Sequence, residues 1–72
     1  MTQRQQERDR RQYLTTAEVA EMRRMKEQSL AQERYRGDGP PYVKDGARVL
    51  YPLDLLEDWL DERLRVPASE NA

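Results

Sequence analysis

Apolar side chains recur along this chain in separate groups, and the spacing inside each group predicts an element. Residues 2–12 contain no apolar side chain at all, so nothing there can drive burial. A solvated basic arm is the expectation for residues 1–12, able at most to track phosphates or enter a minor groove. Tyr13-Leu14-Thr15-Thr16-Ala17-Glu18-Val19 then carries the clearest local signal. Thr15 and Glu18 stand at capping-box spacing, each able to satisfy a backbone amide of the other, and Leu14 and Val19 stand where a hydrophobic staple would form. A helix starting at Thr16 follows, with Val19, Ala20 and Met22 turned inward. Residues 24–36 remain helix-prone, with Leu30 as inward anchor and Met25 ahead of it. No Gly or Pro occurs between Thr16 and Arg36, so local propensity permits one unbroken helix as well as two joined by a bend.

The helical pattern stops at residues 36–51, which hold all three glycines and two of the four prolines. Glycine disfavours helix by its entropy and proline by its missing N–H and fixed φ. Residues 42–44 and 48–51 read as two short strands around Asp45-Gly46-Ala47, a hairpin. A two-residue Asp-Gly turn would set Val43 opposite Arg48. A three-residue loop sets Val43 opposite Val49 and Lys44 opposite Arg48, giving one apolar and one basic face. Burial normally fixes register, so the second is expected. Opposed like charges are then mildly destabilising unless an anion lies on them, which makes the tip phosphate-seeking. Pro52 suits the first position of a further helix, with Asp54 complementing its dipole. Leu53, Leu56, Trp59, Leu60 and Leu64 recur at helical spacing and should pack on the sheet and first helix, Trp59 as the largest single burial. Pro67 should end that helix, and residues 66–72 are assigned to a tail.

Composition limits what such a chain can do. Hydrophobic residues make up 36% and charged residues 38% of it, so the core must be small, able to supply roughly 3–5 kcal/mol. Stabilisation by self-association or by a ligand surface would fit that size. There is no cysteine and no histidine, which removes disulfides, thiolate metal sites and the commonest general base. No nucleophile and base cluster, so an enzyme is not expected, and neither a metal nor a cofactor is implied. Neither a membrane span nor a signal peptide is visible, and a cytoplasmic location is the expectation. The net charge of −1 is unevenly spread: residues 1–12 carry four Arg against two acids, residues 52–72 two Arg against six acids. The acidic Asp54, Glu57, Asp58, Asp61 and Glu62 should form a solvated outer surface, which could also meet a basic partner.

Counting 100° per residue from Leu30 places Gln28, Gln32 and Tyr35 on the opposite side, flanked by Ser29 and Arg36. Any surface helix has a polar face, but this one is rich in groups that read bases. Glutamine can bond both N6 and N7 of adenine in a major groove, and arginine can bond guanine or phosphate.

Helix, helix, two-stranded wing, helix is a minimal winged helix-turn-helix (α-α-β-β-α), mainly α with a small hairpin. Tyr13-Leu14-Thr15 followed by Glu18-Val19-Ala20-Glu21-Met22 is similar to the opening of excisionase-type, AlpA/MerR-like DNA-binding domains. Gly39-Pro40-Pro41-Tyr42-Val43-Lys44, then Gly46, Arg48-Val49, Tyr51 and Leu56 through Trp59-Leu60, resemble the same family without a gap. The resemblance covers roughly residues 13–64, with 13–65 as the expected domain. It implies groove contacts by Gln28, Ser29, Gln32 and Arg36 on the second helix, and phosphate contacts by Lys44 and Arg48 on the wing. It further implies a recombination directionality factor without catalytic chemistry. Such a protein binds phage attachment-site DNA in several copies, bends it and helps integrase toward excision. Two other readings stand beside it: a small transcriptional regulator of phage or mobile-element genes, and a protein-interaction module built on the acidic last helix. The chain departs from the family pattern in three places. Arg23-Arg24 stand where a small turn residue is usual, Lys26 where Ser or Thr would cap the second helix, and Glu33 where an aromatic is usual.

Overall fold

Residues 11–65 are described by a computed structural model. The tail assigned to residues 66–72 and most of the arm assigned to 1–12 lie outside the described residues. The element order is β1 (Tyr13–Thr15), α1 (Thr16–Arg23), α2 (Glu27–Arg36), β2 (Val43–Asp45), β3 (Arg48–Pro52) and α3 (Leu53–Glu62). Three helices and a small antiparallel sheet in this order form a winged helix-turn-helix, with one strand more than expected.

The cap predicted at the first helix is present in full. Glu18 N–H donates to Thr15 Oγ1 at 3.1 Å, and Thr15 N–H donates to Glu18 Oε1 at 2.8 Å. Helix α1 starts at Thr16, as the spacing required, and Leu14 packs on the cluster that holds Val19. The residues before the cap also form strand β1, which lies antiparallel to β3 with Leu14 opposite Tyr51. A three-residue strand whose partner lies far along the chain leaves no local periodicity, which is why it is invisible in the sequence.

The bend between α1 and α2 is made without glycine. Arg24 ends α1 in the left-handed region, at φ 55° and ψ 51°. Its N–H reaches Ala20 O and Glu21 O, and Met25 N–H donates to Ala20 O at 2.9 Å, so the last carbonyls of α1 are satisfied by a Schellman-like closure. Lys26 then stands at the N-cap of α2 in extended backbone, with no side-chain cap bond. Local propensity permits a continuous helix here; tertiary contacts decide against it. The bend brings Leu30 into the core beside Val19 and Ala20, with Met25 packed against them.

Those contacts include two of the departures noted above. Arg23 donates from Nη1 to Glu33 Oε1 at 2.7 Å and from Nη2 to Glu33 Oε2 at 3.1 Å, a bidentate pair joining α1 to α2. Both side chains are largely covered, at 16% and 15% exposure. The Arg23 guanidinium also lies 4.9 Å from the Trp59 ring centroid, and Arg63 stacks on that ring at 3.8 Å. Gly39 closes against the same pair: a Cβ there would stand 2.8 Å from Glu33 Cβ. An ion pair gripped this way fastens the two helices to each other.

The sheet has strand order β1-β3-β2, with β3 central. Its hairpin corrects the expected register. Asp45 lies opposite Arg48, Lys44 opposite Val49 and Val43 opposite Leu50, so the loop is the two residues Gly46 and Ala47. Gly46 has φ 62°, and among the described residues only Arg24 is a non-glycine at positive φ, so Ala47 is spared that conformation. Positive φ at the first loop position alone is the pattern of a type II′ turn. The Asp45–Arg48 ion pair closes this register, where the three-residue loop would have opposed Lys44 to Arg48.

The core is Val19, Ala20, Leu30, Tyr51 and Leu56, with Leu14, Met25, Val49, Leu53 and Leu60 packed against it. Several residues expected in it are elsewhere. Met22 and Val43 are exposed, and Trp59 is half-buried in contact with two guanidiniums rather than the largest burial; that place belongs to Tyr51. Leu64 is exposed because α3 ends at Glu62, well before Pro67. Pro52 is the N-cap of α3, one position before its first helical residue, and Leu53 N–H donates instead to Gln12 O at 2.9 Å. Arg11 pairs with Asp54 in the first turn at 3.3 Å. Val19, Leu30, Tyr51 and Leu56, the four fully buried side chains of this core, contribute on the order of 1.5–3 kcal/mol each before chain entropy is subtracted. With so little apolar burial, polar cross-links between elements matter.

Candidate nucleic-acid interface

The outer face of α2 is set by Leu30, whose burial turns the residues half a turn away toward solvent. Gln28, Gln32, Tyr35 and Arg36 are exposed, and Ser29 is half-buried at the margin. With Ala31 between them, Gln28, Gln32, Tyr35 and Arg36 line one open groove along the helix. The stripe expected from the sequence is therefore brought together, Ser29 lying at its edge. Arg36 is held by Asp38, Nε to Oδ2 at 3.0 Å.

At the wing, Lys44 and Arg48 are both exposed, but the observed register separates them. Side chains alternate across a strand, so Arg48 shares one face with Asp45 while Lys44 shares the other with Val49. The single basic face expected of the hairpin is thus replaced by two cations straddling its edge. Arg48 pairs with Asp45. Among the described residues Lys44 forms no ion pair, and the same holds for Arg24 and Lys26 in the bend before α2. These two extra cations were missed by the sequence reading, which treated the bend only as a departure from a pattern. Two basic residues flanking Met25 just ahead of the exposed helix were the signal available.

Helix and wing are tied together by Arg34. Its Nη1 donates to the Tyr51 hydroxyl at 2.6 Å, and its guanidinium lies 5.8 Å from the Tyr42 ring centroid and 6.0 Å from that of Tyr51. Tyr51 is fully buried in the central strand, so α2 is registered to the base of the wing through a charge-assisted bond in a covered position. Nothing in the sequence reading singled out Arg34, because a pairing 17 residues away leaves no periodic trace.

Chemistry of other kinds finds little here. Among the described residues no cluster of carboxylates has the geometry to hold a metal ion, and no helix is long and apolar enough to cross a membrane. Comparison with curated proteins and with solved structures gave no significant match. Comparison with protein families gave one, a helix-turn-helix domain matching residues 13–64. That span runs from the first residue of β1 to just past α3 and takes in the bend, the exposed stripe and the wing. The family is typically non-enzymatic and includes excisionase-like and AlpA-like small proteins. Its shared property is binding of double-stranded DNA. With the match covering every element of the fold, this chain belongs to the helix-turn-helix family of DNA-binding domains.

Proposed function

We propose that the chain is an excisionase-like recombination directionality factor. It binds phage attachment-site DNA in several copies side by side, bends it and directs integrase toward excision. The observation that carries the DNA-gripping part is the pairing of one exposed stripe with one exposed edge. Gln28, Gln32 and Arg36 lie open on α2, Lys44 and Arg48 lie open at the hairpin, and Arg34 locks the two elements together. In this reading α2 enters the major groove, with Ser29 at its margin, and the wing lies edge-on along the adjacent backbone so that both cations reach phosphates. Recombination in particular is favoured by the resemblance of residues 39–44 and 56–60 to excisionase-type domains. Smooth bending of a short duplex costs about 1–6 kcal/mol, which contacts from several protomers can offset.

Titration of attachment-site DNA on a native gel tests this. Stepwise, salt-sensitive complexes and faster excision with the cognate integrase are the expected results. A single discrete complex on a promoter operator, with no effect on excision, would instead identify a small regulator of mobile-element genes. Absence of any DNA complex at low salt would remove the groove-and-wing reading altogether.

A further inference from the structure

The α2 stripe presents more than hydrogen-bonding groups. Tyr35 is 93% exposed, far beyond the other exposed aromatics Tyr13 and Tyr42 at 42% and 43%. Ala31 precedes it by one turn and lines the same groove, so the two sit next to each other on the helix surface, beside Gln28 and Gln32. A phenol ring held this far into water gains nothing in the free protein; it gains on meeting an apolar group. The major groove offers one such group, the C5-methyl of thymine, which pairs with the adenine whose N6 and N7 a glutamine amide can bond. From residue 28 to residue 35 the helix advances about 10 Å, roughly three base-pair steps, so both kinds of side chain fit one short stretch of duplex.

We infer that Ala31 and Tyr35 form an apolar reader of a thymine methyl, working beside the amide readers Gln28 and Gln32 so that α2 selects A·T pairs by both edges. The inference rests on the reading of α2 as the groove helix and adds a specificity-determining residue to it. The ring makes the contact; the hydroxyl is free to face water or a phosphate.

The test begins with sites selected by the full chain from a random duplex pool. Each thymine in the selected site is then replaced singly by deoxyuridine, which lacks only the methyl. Wild-type protein should bind about fourfold more weakly at one or two of these positions, the effect of burying one methyl group. Tyr35→Ala should bind thymine and deoxyuridine alike there, while Tyr35→Phe should keep the discrimination. Thermal melts of both variants should match wild type, since the side chain is exposed. A selected site at which deoxyuridine has no effect anywhere would overturn this inference alone. Equal loss of discrimination in Tyr35→Phe and Tyr35→Ala would overturn it too, by assigning the contact to the hydroxyl. A pool that yields no preferred sequence would overturn the groove reading of α2 itself.

Discussion

At the scale of single residues, Arg24 carries a conformational load. A side-chain-bearing residue in the left-handed region is destabilised by about 1–2 kcal/mol, and glycine is not. Arg24→Gly should therefore stabilise the fold by about 0.5–1 kcal/mol, read as a higher thermal midpoint, once the extra freedom of the unfolded chain is subtracted. A lowered midpoint would mean that the Arg24 side chain makes stabilising contacts that outweigh its backbone. The two arginines proposed to contact DNA are each held by a nearby acid, Arg36 by Asp38 and Arg48 by Asp45. Exposed pairs of this kind are worth about 0–1 kcal/mol, so a phosphate can displace the acid, though not without cost. Asp38→Asn should release Arg36 and tighten DNA binding by about two- to fivefold at low salt. Unchanged affinity at every salt concentration would show that Arg36 does not touch the duplex. These restraints were hidden in the sequence because a neighbouring acid can as easily point elsewhere; the exposed stripe was visible, since it follows from Leu30 and the helical repeat alone.

At the scale of elements, what was legible followed from locality. The capping box of α1 acts over three residues and was readable in full. The bend at Arg24 was open to either outcome, because its causes are non-local: burial of Leu30, and a pair between Arg23 and Glu33 that exists only if α2 turns back. The hairpin was foreseen but its register was not. Apolar matching of Val43 with Val49 argued for three loop residues, whereas Gly46 at positive φ and the Asp45–Arg48 pair settle on two. A double-mutant cycle on Arg23→Met and Glu33→Gln measures how strongly the helix pair is held. Each single change should cost about 1–3 kcal/mol, since it leaves a largely covered polar partner unsatisfied. The coupling energy should exceed about 1 kcal/mol. Additive effects would mean that packing of Leu30 alone sets the bend.

At the scale of the whole molecule, the proposed function divides the work of binding between helix and wing. Arg48→Ala should weaken binding on most sequences alike and reduce the slope of log affinity against log salt by about 1. Gln32→Ala should leave that slope unchanged and relax preference at one or two base pairs. Identical losses for both variants on all sequences would contradict the division. The family assignment was within reach of the sequence because the residues that carry it lie in short ordered runs from 13 to 64. The linkage between parts was not, since Arg34, Tyr42 and Tyr51 meet only in the fold.

β3 is bonded to both neighbours, supplies the buried Tyr51, receives Arg34 from α2 and runs directly into α3. Four structural duties thus converge on five residues, and only Arg48, at the end beside the turn, is exposed. Under the proposed function, variation that retunes the protein toward new target sites is therefore channelled to the hairpin tip and the outer face of α2. The rest of the strand behaves as a keystone, where a change meant to adjust grip would loosen the arch.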